Sequence, residues 1–265
     1  MKLYDKENNR LVILEQKSTS EFWDKHWDEG NFIEKVKRGK NNRLVKKFTI
    51  KFLKSGTKIL EGGCGIGQNV YGLSQWGYNA YGVDFAENTV KKISKEFPKL
   101  KVSVQDVRNL NFPDNFFDGY WSLGVIEHFW DGYSKILEEM KRVLKPRSYL
   151  FLTFPYLSPL RKLKIQLGFY EKIKEGIKTD NFYEFILDEE RVKNNVEKYG
   201  FKLKLKYPFD ATKGIKDEIS LLNPFLQKIY NSQNILSKGV RFLNSLLFSR
   251  IAGHVILLIF QKDER

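Results

Sequence analysis

An α/β domain built on a largely parallel sheet is the fold class this sequence predicts. Three observations carry that prediction. Short apolar runs alternate with helical patterns between residues 57 and 155, the arrangement of parallel strands joined by crossover helices. The first apolar run ends in a glycine cluster, Gly62-Gly63-Cys64-Gly65-Ile66-Gly67. Each of the first three runs closes on an acid: Glu61, Asp84 and Asp106.

The elements follow in order. Thr57 to Leu60 reads as the first strand, followed by the glycines and a helix through about Trp76. Asn79 to Val83 is the second strand and Thr89 to Phe97 the helix after it, while Val102 to Val104 and Phe117 to Ser122 are the third and fourth strands. Ile136, Leu137, Met140 and Leu144 sit at helical spacing until Lys145-Pro146 stops the helix. Tyr149 to Phe154 is an apolar fifth strand ended by Pro155. Residues 156–187 are basic and aromatic without clear period and read as an insertion or lid. Asp188 is placed to cap a helix that Gly200 ends. Phe201, Leu203 and Leu205 alternate with lysines as a strand exposed on one face, and His254 to Gln261 closes the chain as another strand. Between them, residues 210–253 read as a helical insertion in which Leu236, Val240, Leu243 and Leu247 share a face, and packing over the sheet is the plain use of that face.

Apolar residues make up 42% of the 265, enough for one packed domain with appended pieces. A single cysteine and three histidines exclude an intrachain disulfide and argue against a structural zinc site. No leader-like segment and no run of about 18 apolar residues is present, so the chain reads as cytoplasmic. Residues 1–56 carry 14 basic and 8 acidic side chains, residues 57–157 carry 12 and 11, and residues 158–265 carry 20 and 13. A nearly neutral centre is therefore flanked by two basic segments, most simply read as lysine-rich solvated surface. The tract from Lys35 to Lys54 is the densest, and its Val36, Val45 and Phe48 make it a helix with a buried face and a solvated basic face.

The glycine loop permits a sharp turn and close approach of a ligand to a helix N-terminus. Its spacing, Gly63-x-Gly65-x-Gly67, differs from G-x-G-x-x-G, where Gln68 holds the last position. If the ligand is a nucleoside, Asp84 can take two ribose hydroxyls, Asp106 an exocyclic adenine amine, and Glu61 the loop amides or the ligand's ammonium group. Helix N-capping could account for any one of these acids, less readily for all three.

Ile59 to Gly67 resembles the first motif of the class I S-adenosylmethionine-dependent methyltransferases, in their small-molecule, type 11/12-like branch. Tyr81-Gly82-Val83-Asp84, the run Asp106 to Asp118, Ser122 to Phe129 and Leu144-Lys145-Pro146 are similar to successive motifs of that family. The resemblance covers about residues 57–155. It implies a Rossmann-like sheet of seven mostly parallel strands with helices on both faces, the last strand antiparallel, and helical insertions, 156–187 and 210–253, before the sixth and seventh. It divides the chain into a helical cover at 1–56, a cofactor-binding core at 57–155, and a C-terminal part, 156–265, bearing the substrate cover. It implies S-adenosyl-L-methionine as cofactor, contacted by Glu61, Gly62, Gly63, Gly65, Gln68, Asp84, Phe85, Asp106, Val107 and Leu123. Phe22 to Trp27 resembles an element that packs over the methionine end of the cofactor, although Trp23 and Trp27, four apart, first suggest a core stripe. Two departures stand out. Arg147-Ser148 replaces two glycines, which calls for a different turn conformation, and Gly124 replaces the first acid of a Glu-x-x-Glu-His metal motif, so no metal is expected.

The chemistry expected is in-line methyl transfer to an oxygen or nitrogen nucleophile of a small molecule, a lipid, quinone or sugar intermediate. His128 is the candidate base and Glu127 its neighbour, with Asp131, Tyr133 and Tyr156 behind them. The rivals are RNA methylation through the basic flanks and a non-catalytic, cofactor-binding regulatory subunit. Ser122-Leu123-Gly124-Val125 stands where exocyclic-amine methyltransferases have an Asn/Asp-Pro-Pro-Tyr motif, and Cys64 lies within the loop, where it cannot serve as a pyrimidine nucleophile. A peripheral contact with a membrane surface is a further expectation, because Lys238 to Arg250 is both cationic and apolar.

Overall fold

The computed structural model describes residues 1–28, 30–173, 181–232 and 234–264. The chain opens on a hairpin, β1 (Lys2–Asp5) and β2 (Arg10–Leu14), so the helical cover expected over 1–56 begins only at Ser20. The turn is built by Asp5, which accepts from Asn8 N at 3.1 Å and Arg10 Nε at 2.8 Å. Three helices follow, α1 (Ser20–Asp28), α2 (Phe32–Lys37) and α3 (Arg43–Phe52). The single helix expected from Lys35 to Lys54 is broken at residues 38–42, where Asn42 caps a new helix; within that tract α3 buries Val45 and Phe48, while Lys46 and Lys51 lie over the rings of Trp76 and Phe52.

Strands and helices then alternate, except that β5 runs through a loop directly to β6: β3 (Lys58–Gly62), α4 (Gln68–Gln75), β4 (Asn79–Asp84), α5 (Glu87–Glu96), β5 (Lys101–Val104), β6 (Phe117–Leu123), α6 (Ser134–Val143) and β7 (Leu144–Pro155). The insertion after β7 is not purely helical. It contains α7 (Pro159–Gln166) but also β8 (Glu171–Lys172) and β9 (Phe182–Ile186), which join the hairpin in a second sheet ordered β8-β1-β2-β9. Residues 174–180 of that insertion lie outside the described residues. Asp188 caps α8 (Glu189–Lys198) as predicted, accepting from Arg191 N. The chain ends with β10 (Phe201–Phe209), the helices α9 (Ala211–Glu218), α10 (Asn223–Asn231) and α11 (Ile235–Ala252), and β11 (Val255–Lys262).

The main sheet has seven strands in the order β10-β11-β7-β6-β3-β4-β5, parallel except for β11, which runs antiparallel to both neighbours. Alternate residues feed two core layers: Leu60, Tyr120 and Leu152 enter one, and Ile59, Trp121 and Phe151 the other. The β6–β7 register slips between Phe117 and Gly119. Within that slip Arg147 takes φ 62°, a left-handed conformation that non-glycine residues seldom adopt. Strand order reverses beside β3, the place where open α/β sheets hold ligands beyond their C-terminal edges.

A buried polar knot ties the cover together. Arg161 on α7 bonds Glu218 on α9 at 3.0 Å, and Lys2 on β1 reaches the same oxygen at 2.9 Å. Although burial alone would raise the Glu218 carboxyl, the Arg161 and Lys2 charges draw it down to about 2.

Candidate functional site

A cavity of about 730 Å³ opens at the reversal point, a volume suited to a ligand of cofactor size. Gly63, Gly65, Asp84, Phe85, Asp106, Val107, Leu123, His128 and Asp131 line it. Glu61, Gly62, Gln68 and Glu127 do not, and neither do Tyr133 and Tyr156. The Tyr133 hydroxyl accepts from Asn195 Nδ2 at 3.0 Å, and that of Tyr156 donates to the Ser249 carbonyl at 3.3 Å, so both tyrosines are committed to the scaffold.

The floor is the glycine loop. Gly63 and Gly65 have φ 72° and 50°, and a Cβ on Gly65 would stand 2.9 Å from the Trp27 ring. The loop is fastened to β4 because Gly63 N and Cys64 N donate to the Val83 carbonyl at 2.9 and 3.0 Å. Asp84 Oδ2 accepts from Gly65 N at 2.7 Å and Oδ1 from Ala86 N at 2.9 Å. Burial raises the Asp84 carboxyl above the usual range. Beneath the loop, Glu61 Oε1 accepts from Asn69 Nδ2 at 2.7 Å while Oε2 is buried without a partner. Burial pushes Glu61 up to about 8. Burial also raises the Cys64 thiol well above its ordinary value, leaving it inert.

Asp106 is differently placed. Its side chain is 40% exposed and pairs with Arg108 Nη2 at 2.6 Å, and those bonds hold its carboxyl low against the opposing effect of burial. Its loop is pinned from α6, where Glu139 accepts from Leu110 N at 2.6 Å and Arg142 donates to the Leu110 and Phe112 carbonyls.

The opposite wall comes from the turn after β6 and from α1. Trp23 and Trp27 face the cavity, which corrects the core-stripe expectation: they stack on each other at 6.0 Å, and Trp23 meets the His128 ring edge-on at 5.2 Å. What sequence reasoning missed is how α1 is held. Asp24 accepts from Thr89 N and Thr89 Oγ1, both at 2.8 Å, and from Asn88 Nδ2 at 2.9 Å, capping α5 from another helix. No local pattern signals a cap borrowed across 65 residues.

His128 Nδ1 lies 2.7 Å from the Tyr183 carbonyl. A carbonyl only accepts, so Nδ1 carries the proton and Nε2 keeps its lone pair. Burial lowers the His128 pKa, favouring that neutral form. Glu127 is fully buried with Oε2 unpartnered, and burial raises it well above the carboxylate range. Glu184 on β9, a second residue missed, is pushed by burial to about 7. Glu127, His128 and Glu184 bring ligating atoms within 4.8 Å of one another. Where Gly124 removes an acid from the turn, Glu184 supplies one across space, so the trio has the donor set either to share protons or to hold a divalent cation.

Residues 60–152 match the family model described as a methyltransferase domain. Among curated relatives, the 2-methyl-6-phytyl-1,4-hydroquinone methyltransferase of Synechocystis is 34% identical over 102 residues, 37% of this chain and 32% of that protein. The chain thus spans about a third of the length of the relatives it matches. Among solved structures, a SAM-dependent methyltransferase from Archaeoglobus fulgidus superposes with TM-score 0.55 at 18% identity, covering 91% of this chain and 98% of that one. The structure of the [4+2]-cyclase SpnF superposes with TM-score 0.57 at 14% identity over 96% and 99% of the two chains. The fold is shared by both, and activity has to be argued from the site.

Proposed function

Residues 60–152 being a methyltransferase domain of the class I, S-adenosylmethionine-dependent kind, we propose that this chain transfers a methyl group to an oxygen or nitrogen nucleophile of a small molecule. The observation that carries this reading is that the glycine loop, Asp84 and His128 line one cavity. The residues suit the cofactor: Gly63 and Gly65 hold left-handed conformations and let Val125 and Trp27 close on the loop where a Cβ would collide, and Glu61 keeps a buried oxygen without a partner. Bound there, the sulfonium would supply an activated methyl group.

The chain's own contribution is binding, orientation and one proton. Asp84 has lone pairs left for two ribose hydroxyls after serving Gly65 and Ala86. Phe85, Val107 and Leu123 offer apolar surface for a base, with Asp106 at its edge. Glu61, Gly62 and Gln68 act from behind the loop. Trp23 and Trp27 cover the loop and exclude water, which strengthens every charge interaction beneath them. His128 Nε2 accepts the proton that the nucleophile must lose. Glu127 and Glu184 stand next to it: burial keeps Glu127 protonated, while Glu184, raised to about 7, is partly ionised at neutral pH and can exchange a proton with its neighbours. The walls contributed by Trp23, Phe129, Trp130 and Phe182 favour an acceptor with an apolar body, such as a quinone or lipid intermediate.

The test is release of S-adenosylhomocysteine from S-adenosylmethionine in the presence of phenols, hydroquinones, amines and RNA, presented separately. Turnover with a small-molecule class supports the reading. Turnover with RNA alone, or with nothing despite cofactor binding, replaces it with one of the two rivals.

A further inference from the structure

Helix α11 is amphipathic the wrong way round for a soluble surface. Its inward side is small and polar: Ser249 and Ala252 are buried, and Asn244 donates to Thr212 Oγ1 at 3.3 Å. Its outward side is apolar. Leu236, Phe242, Leu243, Leu246, Leu247 and Ile251 are between 53% and 81% exposed, and the neighbouring Leu221 and Phe225 extend the surface at 89% and 65%. The shared face expected to pack over the sheet is therefore turned to solvent, except for half-buried Val240. Contiguous apolar surface of this kind marks a contact site.

Charge identifies the occupant. From Ile219 to Lys262 the chain has no acid; Lys228, Lys238 and Arg250 are exposed cations, whereas Arg241 donates to the Ile229 and Tyr230 carbonyls and Lys262 is buried on β11. A second copy would set two acid-free cationic faces against each other. An anionic lipid surface complements both features, accepting leucine and phenylalanine side chains among its acyl chains and lysine and arginine at its headgroups. No helix among the described residues is long and apolar enough to cross a membrane, which leaves α11 lying along the interface. We infer that the α10–α11 face docks the chain on an anionic lipid surface. The inference does not depend on the cofactor or on His128.

Flotation of the full chain with phosphatidylcholine vesicles, with and without phosphatidylglycerol, tests it. Binding is expected with the anionic vesicles and should fall as salt rises. Lys238→Glu and Arg250→Glu should each weaken it about fivefold or more, from about 1 kcal/mol per cation. Leu243→Ser with Leu247→Ser should weaken it at least tenfold while the melting temperature stays within about 2 °C, because both side chains are exposed. Three results would overturn the inference: no flotation with anionic vesicles, whether the chain is monomeric or pairs through this face; equal binding to neutral vesicles; or anionic binding that the leucine substitutions leave unchanged.

Discussion

Replacing Asp84 with asparagine separates a loop clamp from a ligand contact. The carboxylate serves two backbone donors, Gly65 N at 2.7 Å and Ala86 N at 2.9 Å, one on each oxygen. Asparagine has one acceptor oxygen, so its amide nitrogen must face one of those donors. A hydrogen bond to a charged group contributes about 1.5–3 kcal/mol. Relief of the carboxylate's own burial, which raises its pKa, offsets part of that loss in the free protein. The expected change in folding stability is about 1–2 kcal/mol, a drop of roughly 2–8 °C in melting temperature. With S-adenosylhomocysteine bound, one ribose hydroxyl also loses its acceptor, adding about 1.5–3 kcal/mol, or roughly tenfold to a hundredfold in Kd. Asp106→Asn is the control. That carboxylate is half-exposed and already paired with Arg108, and its loss should change Kd by less than about fivefold. Calorimetric Kd values and melting curves of the three proteins decide the matter. A lowered melting temperature with an unchanged Kd for Asp84→Asn would leave the residue a clamp and refute the ribose assignment.

Other expected outcomes follow from the same geometry. His128→Asn should leave the affinity for S-adenosylhomocysteine within about threefold but lower kcat by about a hundredfold. In the native protein kcat should fall on the acid side, at a pH below histidine's ordinary 6.5, because burial lowers the His128 pKa and the protonated ring cannot accept; equal kcat in the variant removes it as base. Asp24→Ala, by uncapping α5 and freeing α1, should weaken cofactor binding about tenfold and lower stability by about 1 kcal/mol. An unchanged Kd would mean that Trp23 and Trp27 are held by other contacts. Glu218 is ionised in both states well above pH 4.5, its unfolded value, while its folded pKa lies near 2. Its contribution, about 3 kcal/mol, is therefore present above pH 4.5 and lost as pH falls toward 2. Denaturant melts of the native protein and Glu218→Gln should differ by about that amount at pH 7 and converge near pH 2.

The parallel core was legible because its signals are local. Ile59-Leu60-Glu61 and Tyr120-Trp121-Ser122 are buried on both faces, and a glycine run followed by a helix has few other uses. Distant contacts were not legible. Asp24 acts on Thr89, and Glu184 reaches Glu127 from a strand that exists only because Ile13 and Val12 pair with it. The hairpin was missed although Asp5, Asn8 and Asn9 carry turn chemistry. Periodicity found the apolar face of α11, but a shared face does not reveal whether it turns inward, and here it turns out.

On the proposed function, the glycine loop and Asp84 hold S-adenosyl-L-methionine. Titration calorimetry of the native chain with S-adenosylhomocysteine, beside NAD, tests it most directly. Saturable binding of the first at micromolar concentration, and none of the second, is the expected result. Binding of NAD, or of neither, would contradict it.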